Sequence, residues 1–289
     1  MKAQISILAD QLFADFLKNA LRLSNQQQKK FFQATSYSNK RGLRRGDVIE
    51  LPLDFVNTQD YSPLYTGPEI EILHQDQDFL VINKPAGVHG HSLVYTDGNN
   101  CLSFLRQRGY GDILAIDSER RERGMLYRLD QVTSGVLVFA RTTECFQKFR
   151  NQFQSLVKEK TYLAIVHGQF LLEGRHQLFY QASGPKGSMM TAKPTAPGDV
   201  GEFSLKRLSS LVEGGTYSLV EIQLKEGLRH QIRSGLASLG HPIAGDELYG
   251  GGPAERVYLH AHSYDFDGKK FEAPIDLFFR NFLHLNGLL

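Results

Sequence analysis

A charged segment directly before an apolar run constrains the fold of this 289-residue chain more than any other feature. Arg128 and Asp130 lie two residues apart, and small polar residues separate them from a run of Val, Leu and Phe over 135–140. Such a run is typical of a buried β-strand. A charged pair at the entrance to a buried strand costs folding free energy unless each charge has a partner or a function. Asp130 therefore either caps a turn by accepting backbone N–H bonds or performs chemistry.

The composition is that of a folded protein with no membrane segment. Hydrophobic residues make up 41% of the chain and charged residues 22%, as in ordinary soluble domains. No apolar run approaches the roughly 18 residues that a membrane span requires. Asp10 and Asp15 interrupt any signal peptide, and the two cysteines, Cys101 and Cys145, lack metal-ligand spacing. We therefore expect a cytoplasmic monomer that does not contact a membrane.

The positive charge is concentrated near the N-terminus. Residues 1–50 carry nine Lys or Arg against four Asp or Glu, a net charge of +5, whereas the whole chain has a net charge of +2. A basic segment of this kind either contacts a polyanion or forms a solvated face. The sequence predicts a small head over 1–52, a Pro-rich linker over 53–68 and a larger domain over 69–289.

Local patterns predict the elements of each part. Residues 8–21 have helical spacing of apolar side chains, and Ser24 with Gln27 forms a possible capping box that begins a second helix. The remainder shows many strands and few helices, which indicates an α+β protein. Residues 181–201 are rich in Gly and Pro and predict a long irregular insertion.

Two later segments offer polar side chains for chemistry. Alternation over 158–168 predicts a strand that carries Tyr162, which is either a core residue or a site residue. Residues 229–239 predict a helix with an apolar stripe, on which Arg229 and Arg233 share another face, four residues apart. The His89 and His91 pair lacks an evident third ligand, so we expect no metal site.

Four ordered blocks carry a resemblance to a known family. The segment around Asp130 is similar to the signature of the RluA family of RNA pseudouridine synthases, usually His-Arg-Leu-Asp-x-x-Thr-Ser-Gly before an apolar strand. Tyr127 stands where the family usually has His. The other blocks are Asn83-Lys84-Pro85-Ala86-Gly87, the Tyr162 strand and Gly227-Leu228-Arg229-His230-Gln231-Ile232-Arg233. The resemblance covers about 70–280, and four blocks in order are far more specific than one short motif.

The resemblance implies a fold and an activity. The implied fold is α+β, with a mixed, largely antiparallel sheet, flanking helices and a central cleft, plus a small N-terminal helical head similar to an RNA-binding domain but shortened. The implied activity is the isomerisation of a specific uridine in ribosomal or transfer RNA to pseudouridine, without any cofactor. RNA is the implied partner.

The resemblance also implies roles for matched residues. Asp130 would attack the anomeric carbon or remove the ribose 2′ proton, and Arg233 would keep it ionised. Tyr162 would stack on the uracil and accept the C5 proton. Arg128 would fill the space of the flipped nucleotide, or else form a structural ion pair. The substrate-binding residues would be Arg128, Arg229, His230 and Gln231.

Two other functions stay open from the sequence. Tyr127 and the shortened head are compatible with an RNA-binding relative that is catalytically silent, although Asp130, Tyr162 and Arg233 are all present. Glycoside hydrolysis would require two carboxylates across a cleft, and the signature holds one. We rank the uridine isomerase first.

Overall fold

The computed structural model describes residues 2–7, 10–21, 23–52, 55, 65–92, 97–117, 120–210, 216–224 and 226–288. The chain forms two compact units, one of residues 1–67 and 89–123 and one of residues 68–88 and 124–289. In this division, residues 89–123 belong with the N-terminal segment rather than with the larger domain. The boundaries 1–52, 53–68 and 69–289 stay a prediction, and most of the predicted linker, 53–54 and 56–64, lies outside the described residues.

The first unit contains short strands as well as helices. Its elements are β1 (Lys2–Ser6), β2 (Gln11–Leu12), α1 (Phe13–Asp15), a π-helical turn (Phe16–Ala20), α2 (Asn25–Ala34), β3 (Gly42–Leu43), β4 (Val48–Pro52), α3 (Cys101–Gln107) and α4 (Gly111–Ala115). β1 pairs antiparallel with β4, and β2 pairs antiparallel with β3. The head therefore contains short paired strands beside its helices, because β4 has a partner strand at the beginning of the chain.

The helices of the head follow their local sequence signals in part. The predicted capping box is confirmed: the Ser24 hydroxyl accepts from the Gln27 amide at 3.3 Å, and the Gln27 side chain accepts from the Ser24 amide at 2.9 Å. The helix predicted over 8–21 begins only at Phe13, because the preceding two residues pair with β3. Phe13 and Phe31 are fully buried, and their ring centroids lie 5.5 Å apart in the core of the head.

The second unit is built on one mixed sheet of ten strands. Its strands are β5 (Glu71–Gln75), β6 (Phe79–Lys84), β7 (Ser134–Ala140), β8 (Val157–His167), β9 (Gly174–Ser183), β10 (Met189–Lys193), β11 (Asp199–Ser210), β12 (Tyr217–Leu224), β13 (Leu259–Phe266) and β14 (Lys269–Glu272). The strand order is β10-β9-β11-β12-β8-β13-β7-β6-β5, with β14 beside β13. β13 and β7 run parallel and the other neighbours antiparallel. The expected mixed, largely antiparallel sheet is thereby confirmed.

Among the described residues, four α-helices belong to the second unit; the first three connect strands of the sheet and the last follows its final strand. They are α5 (Thr143–Asn151), α6 (Phe153–Leu156), α7 (Gln231–Ser238) and α8 (Leu277–Leu285). No helix in the described ranges is long and apolar enough to cross a membrane. The irregular insertion predicted over 181–201 is wrong, since β9 pairs with β10 and with β11 across most of it.

The centre of the sheet brings two of the sequence blocks together. Every residue of β7 is buried, as its apolar run predicts. Ala261 on β13 is the register partner of Gly135 on one side and of Tyr162 on the other. Gly135 has φ +113°, and a Cβ there would lie 2.1 Å from the carbonyl oxygen of Ala261. Only glycine fits this close approach of β7 to β13. The loop that carries Asp130 leads into β7, and β13 alone separates β7 from the strand that carries Tyr162.

Candidate active site

An open cavity lies in the second unit. Three segments form its walls: the loop before β7, the middle of β8, and the residues that lead into α7. The sequence-predicted site residues that line it are Arg128, Asp130, Tyr162, His230, Gln231 and Arg233. Six of the seven predicted residues therefore share one cavity, although they come from three separate parts of the chain.

Two carboxylates hold Arg233. Its Nη1 donates to Asp130 Oδ2 at 3.1 Å, whereas its Nε and Nη2 donate to the two oxygens of Asp246 at 2.7 and 2.8 Å. The Asp246 side chain is 1% exposed and that of Asp130 is 26% exposed. Burial lowers the pKa of Arg233, but the bonds with Asp246 and the charge of Asp130 more than offset this, so the pKa is raised. The guanidinium is thus a permanent cation beside the carboxylate that faces the cavity.

A buried lysine braces the loop that carries Asp130. The Lys84 ammonium is fully buried and donates to the carbonyl oxygens of Pro85, Val88 and Gln131 at 2.9, 2.8 and 3.1 Å. The Gly87 amide also donates to the Gln131 carbonyl at 2.9 Å. Because Gln131 follows Asp130 directly, these bonds fix the backbone next to the carboxylate.

His230 approaches the same carboxylate from the start of α7. It has φ +52°, and its Nε2 lies 3.8 Å from Asp130 Oδ2. Its Nδ1 lies 2.7 Å from the hydroxyl of Tyr249, which accepts a hydrogen bond from the Met190 amide at 2.9 Å. Burial lowers the pKa of His230, and the nearby arginines add to this, while Asp130 opposes it. The ring is therefore neutral at pH 7 and adds a polar edge rather than a charge to the cavity.

Tyr162, on β8, forms part of the cavity wall. Burial raises the pKa of its hydroxyl well above the ordinary value, and the charge of Asp130 raises it further. The hydroxyl is therefore protonated at neutral pH. Tyr127 does not line the cavity; its hydroxyl donates to the Val136 carbonyl at 2.7 Å and its ring stacks on Tyr264 with centroids 4.3 Å apart.

Gln231 belongs to a hydrogen-bonded wall. Its Oε1 accepts from the Leu228 amide at 3.0 Å, and its Nε2 donates to the Glu226 carboxylate at 3.0 Å and to the Glu202 carbonyl at 3.3 Å. These bonds fix both ends of the amide, so Gln231 shapes the cavity rather than reaching freely into it.

The two remaining arginines lie in different surroundings. Arg128 is exposed at the cavity. Arg229 does not line the cavity, and its guanidinium donates to the carbonyl oxygens of Gly187 and, at 2.9 Å, of Met189. The prediction that Arg229 and Arg233 share a helix face is wrong, because α7 begins at Gln231 after the left-handed residue His230.

Sequence reasoning missed four residues that build the site: Lys84, Glu226, Asp246 and Tyr249. Asp246 lies 13 residues after its partner Arg233, in the turn before a short 3₁₀ helix (Glu247–Tyr249). Neither helical nor strand periodicity relates the two positions, so no local pattern could pair them. Gly251 and Gly245, where a Cβ would meet backbone oxygens at 1.8 and 1.9 Å, show how tightly this turn is closed.

A sequence profile of one family covers most strands of the sheet and every cavity-lining residue except Leu259. The family is RNA pseudouridylate synthase, and the match spans residues 78–238. The chain belongs to the RNA pseudouridylate synthase family. It is thus an isomerase that acts on uridine in RNA, which confirms the family and the activity that the four sequence blocks imply.

Bacterial members of the family are similar over most of the chain. The uncharacterised RNA pseudouridine synthase YhcT of Bacillus subtilis is 32% identical, over 78% of this chain and 73% of its own length. Ribosomal large subunit pseudouridine synthase C of Haemophilus ducreyi is 29% identical over 81% of this chain and 76% of its length. The tRNA pseudouridine synthase C of Vibrio parahaemolyticus is 32% identical over 66% of this chain and 77% of its length.

A solved structure shares the fold of this synthase. Human RNA pseudouridylate synthase domain containing 1 superposes with a TM-score of 0.56 at 24% identity, covering 72% of this chain and 83% of the human chain. The synthase sheet with its flanking helices is therefore the fold that the sequence implies.

The parts of the chain that the structure describes contain no group of three His, Cys, Asp or Glu side chains placed to hold a metal ion. The Asp130 carboxylate, which lines the cavity, contacts the Arg233 guanidinium.

Proposed function

We propose that the chain converts a specific uridine in structured ribosomal or transfer RNA to pseudouridine, with Asp130 as the catalytic carboxylate. The observation that carries the proposal is the partly exposed Asp130 carboxylate, which lies in the cavity 3.1 Å from the Arg233 guanidinium and shares that cavity with Tyr162. A substrate base must leave its stack to reach such a recessed group.

The reaction defines what the site must supply. The C–N glycosidic bond breaks, the uracil turns, C5 joins the anomeric carbon, the C5 proton leaves and N1 gains a proton. Substrate and product are isomers with no net oxidation or reduction, so the reaction requires neither an electron carrier nor an energy donor. It requires a charged carboxylate at the sugar, a surface for the free base and an acceptor for one proton.

Asp130 acts at the sugar, either as the nucleophile at the anomeric carbon or as the base at the 2′ position. Both routes require the ionised carboxylate. The Arg233 guanidinium donates a charge-assisted hydrogen bond to this carboxylate at 3.1 Å. Because the His230 ring is neutral, it does not alter the net charge of the Asp130–Arg233 pair.

Tyr162 supports the free uracil with its ring and receives the C5 proton at its hydroxyl. Because the raised pKa keeps this hydroxyl protonated, it accepts the C5 proton while it gives up its own hydrogen, and the proton that N1 gains balances this transfer. Arg128, exposed at the cavity, occupies the space from which the uridine has flipped.

The remaining predicted residues contribute to RNA binding in different ways. His230 and Gln231 present polar edges to the base or ribose. Arg229 acts more indirectly, since it holds the backbone of the β9–β10 connection through Gly187 and Met189. We also propose that the chain works as a cytoplasmic monomer without a small-molecule cofactor, and light scattering after size-exclusion chromatography measures its mass.

Ribosomal and transfer RNA are proposed because relatives with these named substrates are similar over most of the chain. The direct test compares RNA from cells with and without the gene, and pseudouridine is mapped by chemical modification and reverse-transcription stops. We expect one or a few stops to vanish on deletion and to return with the wild-type gene but not with Asp130→Asn. An identical stop pattern with and without the gene would refute the proposal.

A further inference from the structure

A lysine ammonium is buried next to the part of β8 that carries Tyr162. Lys160 lies two residues before Tyr162, so both side chains extend from the same face of the strand. Lys160 is 3% exposed. Its nitrogen lies 4.9 Å from the ring centroid of Phe153 and 5.4 Å from those of Tyr127 and Tyr264. These three rings form an aromatic cage around the ammonium.

The ammonium reaches out of the cage to the cavity wall. Lys160 Nζ donates to the backbone carbonyl of Glu226 at 3.2 Å. Within the ranges that the structure describes, this is one acceptor for three N–H donors. The remaining stabilisation of the charge comes from the three ring faces and from the Glu226 carboxylate.

Glu226 begins the wall segment, defined as residues 226–231. Its carboxylate accepts from Gln231 Nε2 at 3.0 Å and also from the Glu202 amide. Gly227, Leu228 and Gln231 all line the cavity. Lys160 therefore ties the first residue of the wall segment to the strand that supplies the opposite wall.

This arrangement is costly for the fold. Burial lowers the pKa of Lys160 to about 8, and the Glu226 carboxylate only partly offsets this. Since the folded pKa lies below the unfolded one, the charged form weakens folding at neutral pH, and stability rises as the pH increases through about 8. An apolar side chain of similar length would avoid the cost. A buried charge that is retained against such a cost next to a cavity is typical of a functional position.

We propose that Lys160 is a positioning residue of the isomerase reaction: its caged ammonium holds the Glu226 carbonyl and so fixes the wall segment against Tyr162. The inference rests on the proposed function of the cavity. Lys160 does not line the cavity and acts through Glu226. When the wall is held, a flipped base is confined between the wall and the Tyr162 ring.

The side chains of the cage around Lys160 do not change their charge near pH 8. Burial raises the pKa values of Tyr127 and Tyr264, so both hydroxyls stay neutral up to pH 9. Phe153 from α6 and Leu224, the register partner on β12, carry no charge. Lys160 is therefore the group of this cage that changes its charge near pH 8, and its deprotonation removes the attraction to the rings.

The test compares Lys160→Met and Lys160→Arg with Lys158→Met, the same change at an exposed lysine two residues away on β8. Ribosomal and transfer RNA fractions from cells lacking the gene serve as substrates, with single-turnover rates measured at saturating enzyme between pH 6 and 9.5. Lys160→Met should lower the rate about ten- to a hundredfold, because a small displacement of a wall costs this much. RNA affinity should stay unchanged and the melting temperature should not fall, and Lys158→Met should match the wild type.

The pH profile and the mobility of the wall separate positioning from a merely structural role. The wild-type rate should decline above pH 8, whereas Lys160→Arg, which stays charged, should show no such decline. Amide hydrogen exchange of residues 226–231 should be faster in Lys160→Met. Wild-type rate, profile and exchange in Lys160→Met would overturn the inference. If Lys160→Met fails to fold, the arginine variant decides by its profile. If the wild type modifies no RNA, the proposed function fails, and the exchange data alone decide whether Lys160 holds the wall.

Discussion

Arg233 contacts its two carboxylates unequally. Asp246 is buried and binds through both oxygens at 2.7 and 2.8 Å, while Asp130 makes one contact at 3.1 Å. A bidentate partner fixes both the position and the plane of a guanidinium. Asp246 therefore orients Arg233, and the remaining Nη1 is left to face Asp130. The guanidinium that contacts Asp130 is thus positioned by a residue that does not line the cavity.

Replacing Asp246 by Asn should impair both stability and turnover. Removal of one partner of a buried ion pair costs about 3–5 kcal/mol of the free energy of unfolding. We expect the turnover rate to fall about a hundredfold, since Arg233 loses its orientation. Urea unfolding and single-turnover kinetics measure the two effects, and Asp199→Asn, at an exposed aspartate, is the matched control. Turnover unchanged in Asp246→Asn would show that Asp130 needs no oriented arginine.

Replacing Tyr162 by Phe should separate stacking from proton transfer. Phenylalanine keeps the ring and loses the hydroxyl, so RNA binding should persist while pseudouridine formation stops. Tyr264→Phe is a matched control, because the Tyr264 hydroxyl is buried without a hydrogen-bond partner among the described residues. Gel-shift affinity and product analysis report the two steps. A Tyr162→Phe enzyme as fast as the wild type would assign the C5 proton to another acceptor.

At the scale of elements, local patterns predicted the strands and helices that carry the site. The apolar run predicted β7, the alternation predicted the Tyr162 strand, and the apolar stripe predicted α7. The β9–β10–β11 pairing was not predictable, because glycine and proline in 181–201 signal turns whether or not the intervening residues find partner strands. The Arg233–Asp246 pair depends on the tertiary fold and leaves no periodic signal.

Adding one methyl group at Gly135 should strongly destabilise the pairing of β7 with β13. In Gly135→Ala, the left-handed φ costs about 1–2 kcal/mol, and the Cβ at 2.1 Å from the Ala261 carbonyl forces β7 and β13 apart. Gly268→Ala, at φ +75° with open space around it, isolates the backbone cost alone. Urea unfolding should show a much larger loss for Gly135→Ala than for the control. Equal losses in the two variants would mean that the strands separate without cost.

At the scale of the whole molecule, the basic N-terminal segment lies in a unit other than the one that contains the cavity. The segment 1–50, which carries the net charge of +5, belongs to the first unit, and all residues that line the cavity belong to the second. The uneven count of Lys and Arg along the sequence predicts a basic N-terminal segment, and the four sequence blocks place the candidate site residues after residue 70. The sequence did not predict that residues 89–123 group with the head, because contacts across the chain, not composition, decide such grouping.

The charge of the head should contribute to RNA affinity through phosphate contacts. Lys29 and Lys30 on α2 are exposed. Lys29→Gln with Lys30→Gln should weaken RNA binding and reduce the slope of log affinity against log salt by about 0.7–0.9 for each phosphate contact that is lost. The double arginine variant keeps the charge and should retain the slope. A slope unchanged in the glutamine variant would mean that this face of the head does not bind RNA.

The most direct measurement of the central claim is pseudouridine formation by purified wild type and Asp130→Asn on ribosomal and transfer RNA fractions from cells lacking the gene. Asparagine keeps the size of the side chain but removes its charge and its nucleophilicity. We expect the wild type to restore one or a few pseudouridines, and Asp130→Asn to restore none while it binds the same RNA with nearly unchanged affinity. Appreciable pseudouridine formation by Asp130→Asn would contradict the assignment of Asp130 as the catalytic carboxylate.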